Sequence, residues 1–375
     1  MPLKETLAEL VAIDSVSART NAPIIDYLTA RCEALGFTVR RFPYTDDNGI
    51  EKTNLLAVTR AHSADTEVEL ALVGHTDTVP YDANWTEALR LSERDGKLFG
   101  RGACDTKAFI AAALTALKGL DLEKLRRPLA LLFTADEEIG LIGAKRFAQQ
   151  RAIRARFAIV GEPTSLQPIR AGKGYCLAEI TVKGREAHSA YPSLGTSAVL
   201  AAARLIARSE KIGEQLTSET HPDFDPSYTT LNIGIVQGGT AKNVVAGSCR
   251  FTLEWRPIPG QPPDRLLKLM NAAIEKEVAR DPNLNFEVDA SRADQGFETP
   301  ANSSLVTLLQ GLTDKKAGTV AFGTEAAQLV ELGAEAVVLG PGNIREAHRT
   351  GEFVPVNELE RCVAILRKAT EALCC

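Results

Sequence analysis

The sequence predicts a layered α/β domain that carries an inserted, smaller ferredoxin-like domain. Helical and strand periodicities alternate as far as about Gly172, a β-α-β-β-α-β run follows from Lys173, and the α/β rhythm returns from about Asp294. The expected division is 1–172 for the first part of the larger domain, 173–293 for the inserted domain and 294–375 for the rest of the larger one.

Taken in order, Leu3, Leu7, Leu10 and Val11 interleave with Lys4, Glu5 and Glu9 as an amphipathic helix, without the apolar core of a secretory leader. Helices are expected near 21–35, 106–119 and 141–150, and strands at 53–59, 68–73, 128–134 and 156–161. Leu129 to Phe133 is a continuous apolar run, as in a strand buried on both faces, and it delivers Thr134-Ala135-Asp136 at its carboxyl end. Val68 to Val73, running into Gly74-His75, has the same form. The inserted domain begins with a strand from Cys176 to Lys183 and a helix from Thr196 to Ala207. Strands from Thr229 to Val236 and Ser248 to Trp255, a helix from Pro262 to Arg280 and a strand from Asn285 to Val288 complete it. In its second helix, Leu266, Met270, Ile274 and Val278 form a stripe that needs a sheet to cover it. Strands near 319–322 and 335–340 and a helix from Val356 to Ala369 finish the larger domain.

A chain of 375 residues, 45% hydrophobic and 24% charged, is neither disordered nor fibrous. Its 43 basic and 48 acidic residues leave a net charge of -5 without any block of like charges, which speaks against nucleic acid and for a small-molecule partner. No stretch approaches the ~18 uncharged apolar residues of a membrane span. The 7 cysteines are scattered without C-x-x-C spacing, as expected for thiols in a reducing compartment, so the cytoplasm is the expected address.

Chemistry concentrates in Gly74-His75-Thr76-Asp77, Gly102-Ala103-Cys104-Asp105, Asp136-Glu137-Glu138, Gly161-Glu162-Pro163 and Ala347-His348. Four of these segments end or follow predicted strands, so parallel neighbours would open them onto one rim of the sheet. Carboxylates crowded there repel one another and require cations, either basic residues or metal ions. Imidazoles mixed with oxygen ligands suit zinc, and a carboxylate shared between two positions suits a dinuclear pair about 3.5–4 Å apart. Each segment alone has a plainer reading: a strand-end histidine as a structural hydrogen-bonding group, or Asp-Glu-Glu as a complement to a helix dipole. Their recurrence in one domain favours a site.

Together with Val79-Pro80, Gly100-Arg101-Gly102, Lys107, Gly140 and His188-Ser189-x-x-Pro192, these segments resemble the zinc aminoacylase and carboxypeptidase family almost end to end. The resemblance implies an amide hydrolase with two zinc ions per chain, cobalt being able to substitute, and an inserted domain that acts as lid and as the contact of a homodimer. It makes His75 and Glu162 ligands of one zinc, Glu138 and His348 ligands of the other, and Asp105 the bridge, followed by a cis peptide at Asp105-Thr106. Glu137 is then the general base, and Asp77 the carboxylate that holds the His75 tautomer. His188 is implied to cross the dimer interface and stabilise the tetrahedral oxyanion.

Asn243 and Arg256 match lid segments that hold the substrate, Arg256 being suited to a bidentate grip on an α-carboxylate. Lys173 is a further substrate-binding candidate, set against a solvated hinge lysine. Gly323-Thr324-Glu325-Ala326 and Leu339-Gly340-Pro341-Gly342 look like the deacetylase branch of the family. That implies release of acetate from N2-acetyl-L-ornithine in arginine biosynthesis, with Thr324 at the substrate and Glu325 facing its ammonium. Succinyl-diaminopimelate, acetyl-citrulline, acetyl-lysine and dipeptides are the alternatives within this chemistry, and a catalytically silent metal-dependent binding protein is the alternative outside it. The chain departs from the family at Thr106 and Ala108, where Met and Gly are common, and at Ala246, where Pro is usual. Gly100-x-Gly102 and Gly238-Gly239-Thr240 do not extend to a phosphate-binding pattern. Cys104 is expected to be a buried packing thiol, His62 and His221 to lie in surface loops, and Cys374-Cys375 to be a frayed tail.

Overall fold

The computed structural model describes residues 2–59 and 66–375, so His62 lies outside the described residues. The chain forms two compact units: Met1–Arg170 with Glu298–Gly318 and Thr324–Cys375, and Ala171–Phe297 with Thr319–Gly323.

In the first unit the strands Thr38–Thr45, Glu51–Val58, Leu129–Thr134, Thr66–His75, Ile153–Val160 and Glu335–Val338 lie side by side in that order. The last four run parallel, whereas the first two pair antiparallel with each other and the second of them is antiparallel to Leu129–Thr134. Parallel strands need cover on both faces. Leu129, Leu131 and Phe133 join a core shared with the helices Leu3–Ala12, Ala22–Ala34, Lys107–Leu117 and Val356–Cys374, while Ala130 and Leu132, which point the other way, are equally buried. The helix Lys107–Leu117 is buried at every residue but Thr115, because its alanines admit close packing on all sides.

The helix Ile142–Gln150 approaches the sheet closely at Gly143, where a Cβ would lie 2.2 Å from the Ala135 carbonyl oxygen and 2.5 Å from Asn54 Oδ1. Gly143→Ala is expected to destabilise the protein by about 1–3 kcal/mol, measured as a lower thermal midpoint. Because Ala135 leads into Asp136 and Glu137, kcat should fall with it.

In the second unit an antiparallel sheet has the order Thr230–Gly238, Ser248–Arg256, Tyr175–Lys183, Asn285–Asp294, and the helices Ala198–Leu216 and Arg265–Arg280 pack with it. This is the β-α-β-β-α-β arrangement that the sequence predicts. Alternation along Tyr175–Lys183 sends Cys176, Ala178, Ile180 and Val182 into the core with Leu205 and Met270. The stripe on the second helix holds at Leu266 and Met270, but Val278 is 39% exposed. A repeat of four residues gains about 40° per step on a helix of 3.6 residues per turn, so the stripe rotates away from the sheet. Ala273 takes a core position instead.

The last helix continues through Cys374, beyond its expected end at Ala369. Cys374 is buried and its carbonyl accepts the N–H groups of Arg126 at 2.8 Å and Arg127 at 3.1 Å, so the expected frayed tail is a docked helix end and only Cys375 is exposed.

Candidate metal centre

The parallel strands build the site. His75 and Thr134 end adjacent strands, and Val160 and Val338 end the next two. His75, the turn Asp136-Glu137-Glu138 and Gly161-Glu162 therefore issue from one edge of the sheet, with His348 on the loop beyond the fourth strand. Asp105 arrives after the paired strands Ser92–Arg94 and Lys97–Phe99, and the Asp105–Thr106 peptide is cis.

Asp105 stands between two imidazoles, with Oδ1 3.0 Å from His75 Nε2 and Oδ2 3.1 Å from His348 Nε2. Glu138 Oε1 is 3.0 Å from the same nitrogen of His348. One potential ligand atom from each of His75, Asp105 and Glu162 lies within 4.8 Å of the other two, and the same holds for Asp105, Glu138 and His348. The two groups share Asp105.

Asp77 fixes His75, though not through the expected atom. His75 Nδ1 lies 3.0 Å from the Asp77 main-chain carbonyl and 3.6 Å from its carboxylate. The carbonyl can only accept, so we assign the proton to Nδ1, which leaves Nε2 to face Asp105. The Asp77 carboxylate anchors the acidic turn instead. It accepts the N–H of Glu137 at 3.1 Å, the N–H of Glu138 at 3.3 Å and the Ser17 hydroxyl at 2.7 Å. Asp136, with a φ of 55°, points its carboxylate away from the cluster to the Lys52 ammonium at 2.7 Å and the Tyr44 hydroxyl at 2.8 Å. Behind Asp105, Glu352 accepts the N–H groups of Cys104 at 2.8 Å and Asp105 at 3.0 Å. Ser17, Tyr44, Lys52 and Glu352 lie outside the motifs, and no sequence signal marks them. Cys104 is buried, which pushes its thiol pKa up, and its thiol donates to the Asn343 carbonyl at 3.5 Å.

The crowding of buried carboxylates in the cluster leaves it short of positive charge. Burial pushes the carboxyls of Glu137, Glu138 and Glu162 up, and neighbouring carboxylates add to the effect. Bonds to Asp105 and Glu138 raise the His348 imidazole to about 10. Burial alone would lower His75, but its bonds to Asp105 and Asp77 hold it well above its usual range. Asp105 is driven up by burial and, more strongly, down by the two imidazoles. Each of these upward shifts favours a proton where a cation's charge would serve. Divalent metal ions fit the donors: imidazole nitrogens and carboxylate oxygens, three protein ligands at each position and one carboxylate common to both.

The substrate-binding candidates fall in both units. In the first, Thr324 is buried and its hydroxyl accepts the Ala326 N–H at 3.2 Å at the start of the helix Ala326–Glu331. Glu325 is 1% exposed; its Oε1 accepts the Thr134 hydroxyl, and its Oε2 has no hydrogen-bond partner among the described residues. In the second unit, His188 is exposed and its Nδ1 accepts the Ala190 N–H at 3.1 Å. Asn243, also exposed, accepts the Ser189 N–H through its carbonyl at 2.9 Å, so His188 and Asn243 lie on neighbouring segments. Arg256 stacks 3.8 Å above the Tyr175 ring and donates to Glu254 at 2.9 Å. Lys173 is buried rather than solvated, because its ammonium donates to the Tyr228 carbonyl at 2.6 Å. His221 is half-buried, edge-on to the Phe224 ring at 5.0 Å.

The sequence profile of Peptidase family M20/M25/M40 matches residues 71–372. An acetylornithine deacetylase of Myxococcus xanthus is 52% identical over 373 residues, which span 99% of this chain and 97% of that protein. An acetylornithine deacetylase of Proteus mirabilis (strain HI4320) is 36% identical over 380 residues, 99% and 96% of the respective chains. Among solved structures, a tripeptidase from Staphylococcus aureus superposes with a TM-score of 0.79 at 24% identity, covering 99% of this chain and 97% of the other. A dinuclear metal-binding peptidase of Bacillus subtilis superposes with a TM-score of 0.70 at 15% identity, again over 99% and 97%. These two likenesses bear on the fold alone. Agreement between the profile and full-length relatives makes the chain a member of peptidase family M20/M25/M40 and its sheet-edge centre that of a metal-dependent amide hydrolase.

Proposed function

We propose that the chain removes acetate from N2-acetyl-L-ornithine, yielding ornithine for arginine biosynthesis in the cytoplasm. Two zinc ions per chain would be held by His75, Asp105 and Glu162 on one side and by Asp105, Glu138 and His348 on the other, and cobalt would be able to replace them. The observation that carries the reading is 52% identity to an acetylornithine deacetylase over 99% of the chain. When bound, the metal pair supplies a Lewis acid and lowers the pKa of water toward ~7.

The protein's own groups do the rest. Glu137, on the turn anchored by Asp77, takes a proton from the attacking water and returns it to the leaving amine. Arg256 would hold the substrate carboxylate, and Asn243 and Lys173 of the second unit and Thr324 of the first are the other groups assigned to substrate binding. His188 donates to the oxyanion across the interface of a homodimer. The dimer reading is supported by the edge strand Thr230–Gly238, where Ile235 and Val236 are 55% and 53% exposed.

Glu325 selects the ornithine side chain. A buried carboxylate with one oxygen unpartnered suits an incoming ammonium. Glu325→Gln is expected to raise KM for acetyl-ornithine about 10–100-fold, the worth of a hydrogen bond to a charged group, and to spare acetyl-methionine. Burial lifts the Glu325 carboxyl to about 7, so KM for acetyl-ornithine should fall as pH rises through that value and the carboxylate forms. Initial rates with acetyl-ornithine, acetyl-citrulline and acetyl-methionine test the substrate assignment. An equal KM rise for acetyl-methionine would remove this role from Glu325.

A further inference from the structure

An ion pair lies directly behind the bridging carboxylate, and the ligand set does not account for it. Arg101 and Glu352 are 3% and 1% exposed and meet at 2.5 Å. Arg101 also donates to the Pro80 carbonyl at 3.2 Å and stands over the Trp85 ring. Glu352 turns its other oxygen to the main chain, where Oε1 accepts both Cys104 N–H and Asp105 N–H. Its own backbone is tied in as well: the Glu352 N–H donates to the Arg349 carbonyl at 3.2 Å, and its carbonyl accepts the Gly100 N–H at 3.1 Å. Next to it, Phe353–Pro355 pairs antiparallel with Lys97–Phe99. One side chain therefore fastens the segment carrying Asp105 to the loop carrying His348.

Burying two charges is costly, and such a pair is weak support for stability by itself. What this pair does is local. Without the carboxylate, the Cys104 and Asp105 N–H groups would lose their acceptor in a buried place, and the peptide from which the bridging side chain projects would be free to turn.

We propose that Glu352, held in place by Arg101, is a positioning residue that sets the affinity of one metal position in particular, the one formed by Asp105, Glu138 and His348. The inference rests on the dinuclear reading of the site. Two of that position's three ligands, Asp105 and His348, sit on the segments that Glu352 joins. The other position has only Asp105 there, since His75 ends a sheet strand and Glu162 follows one. His348 also has the least support of its own, with a side chain 48% exposed and a left-handed φ of 60°.

The test is stepwise release of zinc from the loaded full-length chain by a competing chelator, repeated with cobalt so that each position is followed by its visible absorption. Glu352→Ala is expected to weaken one ion about 10–100-fold, as for other outer-shell partners, and the other, which has only Asp105 on the joined segments, by clearly less. Glu352→Gln keeps an oxygen for the two amides but sets an NH2 against the Arg101 guanidinium in place of the ion pair. It should lower the thermal midpoint and weaken the same ion by less than Glu352→Ala. Equal weakening of both ions, or a lower thermal midpoint with both affinities intact, would overturn the proposal. A wild-type chain that releases only one ion overturns the dinuclear reading itself, and that outcome is read before any variant is made.

Discussion

Glu137→Gln is expected to keep both metal ions and lose kcat by ~10²–10⁴, the usual worth of a positioned general base. Gln has the same size and can still accept a hydrogen bond, but it cannot carry a proton from water to the leaving amine. The turn that bears it is held by main-chain N–H groups on Asp77, which the substitution leaves alone, so Glu138 should stay in place. KM for acetyl-ornithine should change little, because the lost interaction belongs to the transition state. Metal content and single-turnover rates measured on one preparation decide the matter. A variant that keeps its metal and retains activity within tenfold of wild type would show that the base lies elsewhere.

Asp105→Ala should have the second large effect, of a different kind. Its two oxygens face different imidazoles, Oδ1 toward His75 and Oδ2 toward His348, so both metal positions lose a ligand at once. Both affinities should fall by more than the ~10–100-fold that follows loss of an outer-shell partner, and activity should fall with them. His348→Ala supplies the contrast, because it should empty one position and spare the other. If Asp105→Ala kept either ion at wild-type strength, the bridge would not be shared.

The parallel part of the fold is legible because strands covered on both faces must be apolar, as Leu129 to Phe133 and Leu70 to Val73 are. The strand Thr38–Thr45 is not, since TVRRFPYT is half-exposed and mixes arginines with a proline. The ligands are legible for a related reason: few side chains bind metal, and strand ends confine where they can stand. Their supports are ordinary residues whose partners are distant in sequence. Ser17 meets Asp77, Lys52 meets Asp136 and Glu352 meets Asp105 only after the sheet has set their positions. Lys173 shows the limit of local reading, because a lysine between glycines suggests solvent, while a carbonyl contributed by Tyr228 draws its ammonium inside.

The two imidazoles differ sharply in contact with water, His75 being 1% exposed in its side chain and His348 48%. An ion beside His348 would be the one open to exchange with the surrounding medium, while its neighbour beside His75 would be shut away. Batches grown in manganese-rich and zinc-rich broth should therefore share an identical inner occupant and differ in the outer one. Variation in specific activity between preparations would then record the composition of the culture and not the purity of the protein.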